Sequence, residues 1–243
     1  MRLLLIRHGD PDYELDSLTE KGFREAAYLA DYLEKESIDA YYVSSLGRAR
    51  ATAKPTLEKK QATAKECVWL REFAPRIARP DMPDKENICW DWLPEDWTKV
   101  SEFYDKNRWT NHITMQKGNV LQEYQWVCDS FDELLRSHGY ERSGNIYKAV
   151  KPNNDTIALF CHFGSTCVIL SHLLGISPMV LWHGFCSPPT GITTVCTEER
   201  RQGIASFRVQ GYGETPHLYC NGEPISSSAK FRACYFNEDE RVD

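Results

Sequence analysis

The chain has 243 residues, 42% of them hydrophobic and 26% charged, ordinary usage for a globular protein and unlike that of a disordered one. Its length suits one large α/β domain or two small ones. A net charge of −6 excludes a general attraction to nucleic acid or anionic membrane and leaves room only for a local basic pocket. The nine cysteines are scattered, odd in number and without a C-x-x-C pair, which excludes a disulfide framework or a zinc ribbon and suits a reducing cytoplasm. The LLLI run at 3–6 is far shorter than a signal-peptide core, and no apolar stretch approaches the ~20 residues of a membrane span.

In chain order, RLLLI at 2–6 reads as a buried strand, and the polar segment Asp10 to Ser17 as a loop. Thr19 precedes a run with Phe23, Ala26, Ala27, Ala30 and Leu33 near helical spacing, which predicts a helix over about 20–35. A second strand is expected at 40–44, a helix over about 47–60, and a short third strand at Val68–Leu70. Residues 73–120 break the pattern. They hold Pro75, Pro80, Pro83 and Pro94 with Trp90, Trp92, Trp97 and Trp109, and no clean periodicity before about Glu95–Asn107. This stretch reads as an insertion, either a satellite core or a wall over a pocket. Gln122–Ser137 is a helix, TIALFC at 156–161 a buried strand, and Gly164–Leu174 a helix. Ile192–Thr197 and Ile204–Gln210 are strands joined through EERRQG. Residues 219–243 form a polar tail.

Strands alternating with helices predict an α/β fold: a three-layer α/β/α sandwich on a mostly parallel central sheet. Ligands in such sheets bind beyond the carboxyl ends of the strands. Arg7-His8-Gly9 follows the first strand, Ser44 to Arg48 follows the second, and His162-Phe163-Gly164 follows the strand at 156–161. Two histidines and two arginines are therefore expected on one rim.

Arg7-His8-Gly9 after the first strand resembles the signature of the histidine phosphatase superfamily, the phosphoglycerate mutase-like proteins. Ser44 to Ala53 resembles that family's S-P-L-x-R-A-x-x-T-A segment, and Leu18-Thr19-Glu20-Lys21-Gly22 its L-T-x-x-G helix start. Leu70-Arg71-Glu72 sits where the family carries an acid. Phe160-Cys161-His162 matches the strand leading to its second histidine, and His217-Leu218 resembles an H-L near its end. The resemblance covers about residues 1–72 and 155–218. It implies one phosphoglycerate mutase-like domain over 1–218, with 73–120 as an insertion or cap, followed by the tail 219–243.

The chemistry explains the residue types. Arg7 and Arg48 can hold phosphate oxygens through charge-assisted bonds. His8, as neutral imidazole, can attack phosphorus and form a phosphohistidine, which splits one displacement into two. His162, if cationic, can offset charge on the transferring group. One carboxyl group can protonate the leaving alkoxide and later activate water; the resemblance gives that role to Glu72, with Asp81 and Glu86 as alternatives. Phe163 stands where some members have an Asp after the second histidine, which closes that route. Arg76 and Arg79 are candidates for further anion contacts, and His183 for facing the site or for a structural role.

The leading expectation is a metal-independent phosphatase acting on a small phosphorylated molecule, with no cofactor and neither nucleic acid nor membrane as partner. Oligomeric state stays open. The alternatives are a phosphoglycerate-type mutase, disfavoured by the short segment between Gly9 and Leu18, a metal hydrolase, and a non-catalytic phosphate-binding module.

Overall fold

The computed structural model describes residues 1–226 and 229. In chain order the elements are β1 (Arg2–Arg7), β2 (Pro11–Asp12), β3 (Ser17–Leu18), α1 (Glu20–Glu34), β4 (Ala40–Ser44), α2 (Gly47–Lys60) and β5 (Lys65–Cys67). The aromatic stretch contributes β6 (Arg76–Ala78), β7 (Glu86–Ile88), α3 (Pro94–Trp97) and α4 (Ile113–Lys117). Then come α5 (Val120–Ser137), β8 (Tyr140–Ser143), β9 (Ile146–Ala149), β10 (Thr156–Cys161), α6 (Phe163–Leu174), α7 (Pro178–Gly184), β11 (Ile192–Arg201), β12 (Ile204–Glu214) and α8 (Pro216–Cys220).

Eight strands form the central sheet in the order β5-β4-β10-β1-β11-β12-β9-β8. The pairs β5·β4, β4·β10 and β10·β1 are parallel, and the four pairs from β1·β11 to β9·β8 are antiparallel. Following these pairings across the sheet, β11 and β9 run against the other six strands. The period of two decides the layers. Leu4 and Ile6 of β1 join a cluster with Leu29 and Leu33 of α1 and Ala49 and Ala53 of α2. Leu3 and Leu5 join the opposite cluster with Phe131 and Leu135 of α5 and Val168 of α6. The sheet is thus covered on both faces.

Several expectations are corrected. The third strand is Lys65–Cys67, and Val68–Leu70 forms a turn of 3-10 helix. That turn buries Leu70 completely while leaving Val68 exposed, and it carries the chain off the sheet edge toward Glu72. The loop at 10–17 contains the small β2–β3 hairpin. The segment at Glu95–Asn107 yields only α3 and a 3-10 turn at Ser101–Tyr104. The insertion is not a satellite core: Phe73, Ile77, Trp92, Phe103, Trp109 and Met115 pack in the same cluster as α5 and α6. The β8–β9 hairpin and α7 have no counterpart in the sequence reading. Most of the tail 219–243 lies outside the described residues. Among the described residues, no helix is long and apolar enough to cross a membrane, and the eight cysteines are free thiols.

Candidate active site

β1 and β10 are parallel neighbours with Arg7 opposite Cys161, so His8 and His162 leave the sheet at the same level. Their rings lie 5.1 Å apart, tilted by 54°. The His8 amide donates to the Cys161 carbonyl at 3.0 Å, and the His8 carbonyl accepts from the Thr190 amide at 3.1 Å. His8 Nδ1 is 2.8 Å from the Gly9 carbonyl oxygen, which can only accept. Nδ1 therefore carries the proton, and the lone pair is on Nε2. Burial, then the Arg7 charge, holds the His8 pKa down at about 3, so the imidazole is neutral around pH 7.

His162 is fully buried, and its Nε2 lies 2.8 Å from Ser44 Oγ at the end of β4. Ser44 Oγ also accepts from the Leu46 amide at 3.2 Å. Burial, followed by repulsion from His8 and the two arginines, lowers the His162 pKa well below the ordinary range. Among the described residues its Nδ1 has no hydrogen-bond partner, and the same holds for Nε of Arg7 and of Arg48. Buried polar atoms are normally hydrogen-bonded, so three such nitrogens near the neutral imidazole of His8 would suit a ligand rich in acceptor oxygens.

The arginines are held from outside. Arg7 Nη1 donates to the Ser187 carbonyl at 2.6 Å. Arg48, in the first turn of α2, donates from Nη1 to Asp16 at 2.6 Å. Asp16 also accepts from the Gly47 amide at 2.6 Å. The donors from Gly47 and Arg48 bring the Asp16 carboxyl below its usual range against the opposing effect of burial.

Glu72 lines the same cleft as Arg7. Its Oε1 accepts from the amides of Phe73 at 3.0 Å and Ser165 at 3.2 Å. Burial raises its pKa, opposed mainly by the arginine charges. The close approach depends on Gly164, where a Cβ would stand 2.5 Å from Glu72 Oε1 and 3.0 Å from Trp90 Nε1.

The cleft has a volume of about 360 Å³, and its lining includes Arg7, Glu72, Trp90, Phe163, Trp182 and Phe185. Phe163 thus faces the cleft. Of the four tryptophans in 73–120, only Trp90 lines it. Trp92 and Trp109 are buried in the core, and Trp97 stacks on His183 at 4.9 Å. Asp81 pairs with buried Arg79 at 3.5 Å, and Arg79 itself donates to the carbonyls of Trp90 and Asp91. Arg79 therefore braces the loop that carries Trp90. Arg76 is exposed beside Asn87, and Glu86 is exposed on β7. None of Arg76, Arg79, Asp81 and Glu86 lines the cleft. His183 does, but its Nδ1 is bound to the Met179 carbonyl and its Nε2 accepts from the Trp92 amide. Burial takes its pKa down to about 4, so it is a neutral wall.

Asp16, Ser44, Trp182 and Ser187 are site residues that sequence reasoning did not assign. Ser44 was visible as a strand-end residue; Trp182 and Ser187 belong to α7 and the loop after it. Among the described residues, no group of three or more His, Cys, Asp or Glu side chains is placed to hold a metal ion.

Residues 3–103 match the model of the histidine phosphatase superfamily (branch 1). A search of curated proteins gives no match. Among solved structures, a phosphoserine phosphatase mutant from Entamoeba histolytica in complex with phosphoserine is 21% identical, with a TM-score of 0.58, covering 89% of this chain and 98% of its own. A mycobacterial glucosyl-3-phosphoglycerate phosphatase is 17% identical, with a TM-score of 0.57 and coverage of 87% and 98%. The alpha-ribazole phosphatase from Shigella flexneri is 20% identical, with a TM-score of 0.50 and coverage of 86% and 95%. At these identities the likeness is one of fold.

Proposed function

We propose, for a chain whose residues 3–103 match the histidine phosphatase superfamily, that it is a metal-independent phosphatase acting on a small phosphate monoester through a phosphohistidine. The observation that carries this reading is the neutral, Nδ1-tethered His8 with its Nε2 lone pair beside three unpartnered nitrogens of Arg7, Arg48 and His162. The phosphatase names of the compared structures accord with it.

In the first step Nε2 of His8 attacks phosphorus while the bond to the leaving oxygen breaks. Arg7 and Arg48 hold the equatorial oxygens, supplying positive charge of the kind a metal brings elsewhere. His162, whose buried Nδ1 is unpartnered among the described residues, donates from it to a phosphate oxygen. Glu72, whose pKa burial raises, gives its proton to the leaving alkoxide. In the second step its carboxylate takes a proton from the water that attacks the phosphohistidine. Inorganic phosphate leaves, and His8 returns to its starting form.

Labelled phosphate should be recovered on wild-type protein after alkaline quench and be lost after acid quench. His8→Ala should give neither label nor turnover, and exhaustive chelation should leave the rate of the parent intact. Turnover by a folded His8→Ala variant, or chelation loss reversed by a divalent ion, overturns this mechanism.

A further inference from the structure

We infer that the leaving group accepted here is a flat apolar or aromatic body carrying no second anionic group. This deepens the phosphatase reading and rests on it. The cleft beyond Arg7 and Glu72, at about 360 Å³, lies at the small end of the range for ligand pockets, ~300–1,000 Å³. Its walls are rings. Trp90 is stacked on Trp182 at 6.4 Å and 24°, and Phe163 meets Trp90 edge-on at 5.8 Å and 72°.

The polar handles of these rings are already used. Trp90 Nε1 donates to the Phe73 carbonyl at 2.7 Å, and Trp182 Nε1 to the Gly164 carbonyl at 3.2 Å. Both nitrogens of His183 are engaged as well. The side of the cleft built by Trp90, Trp182 and His183 therefore presents π-faces and edges whose ring nitrogens are already bonded, which suits a flat apolar body, while Tyr13, Asp91 and Ser187 add polar side chains to the lining beside Arg7 and Glu72.

Charge selects in the same direction. Among the described residues lining the cleft, Arg7 is the cation, and the phosphate itself engages it. The other acidic side chains there are Glu72, whose pKa burial raises, and Asp91, whose carboxylate pairs with buried Arg79 at 3.7 Å. A substrate carboxylate or second phosphate reaching into the cleft would find no second cation among its described lining residues.

The test compares esters of alkyl alcohols, so that leaving-group basicity is nearly constant: 2-naphthylmethyl phosphate, ethyl phosphate and phosphoglycolate. The expected order of kcat/KM puts the naphthylmethyl ester on the order of 10–200-fold above the ethyl ester, with phosphoglycolate last. Trp90→Ala should shrink the first ratio to below about threefold, and Trp90→Phe should preserve most of it. Phe163→Leu reads the same ratio if Trp90→Ala does not fold. Affinities of the matching non-hydrolysable phosphonates are measured in parallel. Equal rates across the panel, a preference for phosphoglycolate, or a ratio unmoved in the folded variants overturns the inference and leaves the phosphatase reading standing. Phosphonates bound in the expected order, without turnover of any ester, uphold the inference about the cleft and overturn the phosphatase reading.

Discussion

In the proposed mechanism His8 is the nucleophile, and its surroundings suit that role. An ordinary imidazole would be partly charged near pH 6.5, and its protonated fraction could not attack phosphorus. Here the Gly9 carbonyl fixes the tautomer, while burial and Arg7 keep the ring neutral. Glu72 works in the opposite sense: the same burial raises its pKa and keeps a proton available at higher pH than a solvated glutamate would. Glu72→Gln should slow hydrolysis of an alkyl phosphate by about 10²–10⁴-fold and have far less effect on an activated aryl ester, whose leaving group departs unprotonated. With the alkyl ester the parent should lose activity as pH rises through the elevated Glu72 pKa, and that limb should vanish in the variant. Rate–pH profiles on both esters check this; equal losses on the two would remove Glu72 from proton transfer.

At the scale of elements, the Leu18 to Gly22 motif has a geometric explanation. Thr19 caps α1 by accepting from the Gly22 amide at 3.1 Å. Gly22 then lets the loop after β1 lie on the helix: a Cβ there would overlap the Asp10 carbonyl, and one on Gly9 would come within 2.9 Å of the Gly22 carbonyl oxygen. Glu25, one turn further on, accepts from the Asp10 amide at 2.8 Å. Replacing glycine by alanine inside a helix ordinarily stabilises by roughly 0.5–1 kcal/mol. Gly22→Ala should do the reverse, destabilising by about 1–3 kcal/mol through overpacking and impairing turnover because His8 hangs on the same loop. Thermal unfolding alongside kcat reads both, and an unchanged or raised Tm would contradict this account.

The elements legible in the sequence were β1, α1, β4, α2, α5, β10, α6, β11 and β12, the clearest being those with a strong period or an unbroken apolar run: β1, α1, α5 and β10. Arg7, His8, Arg48 and His162 were legible because each sits at or just past a strand end or at a helix start. Two missed elements carried signals of a different kind. Ser177-Pro178 is a cap followed by proline at the first helical position, but α7 is too short to show a period. Gly144-Asn145 between β8 and β9 is a hairpin turn, with Gly144 at φ +62°, flanked by strands with little apolar alternation. Asp16 was out of reach, since its pairing with Arg48 joins residues 32 positions apart and exists only once β3 and α2 are packed together.

Over the whole molecule, the buried histidines set the response to acid. His8 sits at about 3, His183 and His217 at about 4, and His162 well below its ordinary value, burial being the largest cause in each. In the unfolded chain all four would titrate near 6.5. Between those limits the unfolded state binds more protons, so stability is fully present above about pH 6.5 and declines as the pH falls below it. Each such histidine contributes up to about 1.4 kcal/mol per pH unit. Glu25, raised to about 6 by burial, and Glu72 oppose this, but they are two against four. Tm should therefore drop between pH 7 and pH 5.5, and His217→Gln should reduce the slope by up to one proton. A Tm that is flat or rises over that interval would contradict the neutral state of these rings.

The ring stack beside the cleft has one more consequence. Trp182, 5% exposed, is packed against Phe73 at 5.4 Å and Trp109 at 5.5 Å as well as Trp90. The surface that greets a ligand is thus the outer layer of the core. Its rings are ordered when the chain folds, so a ligand docks without freezing them, and less of its contact energy is lost to entropy. The same continuity restricts what evolution can do here. A substitution that reshapes the wall also repacks the interior, so any change in the shape of the cleft has to pass through sequences that still hold the sheet and the aromatic excursion together.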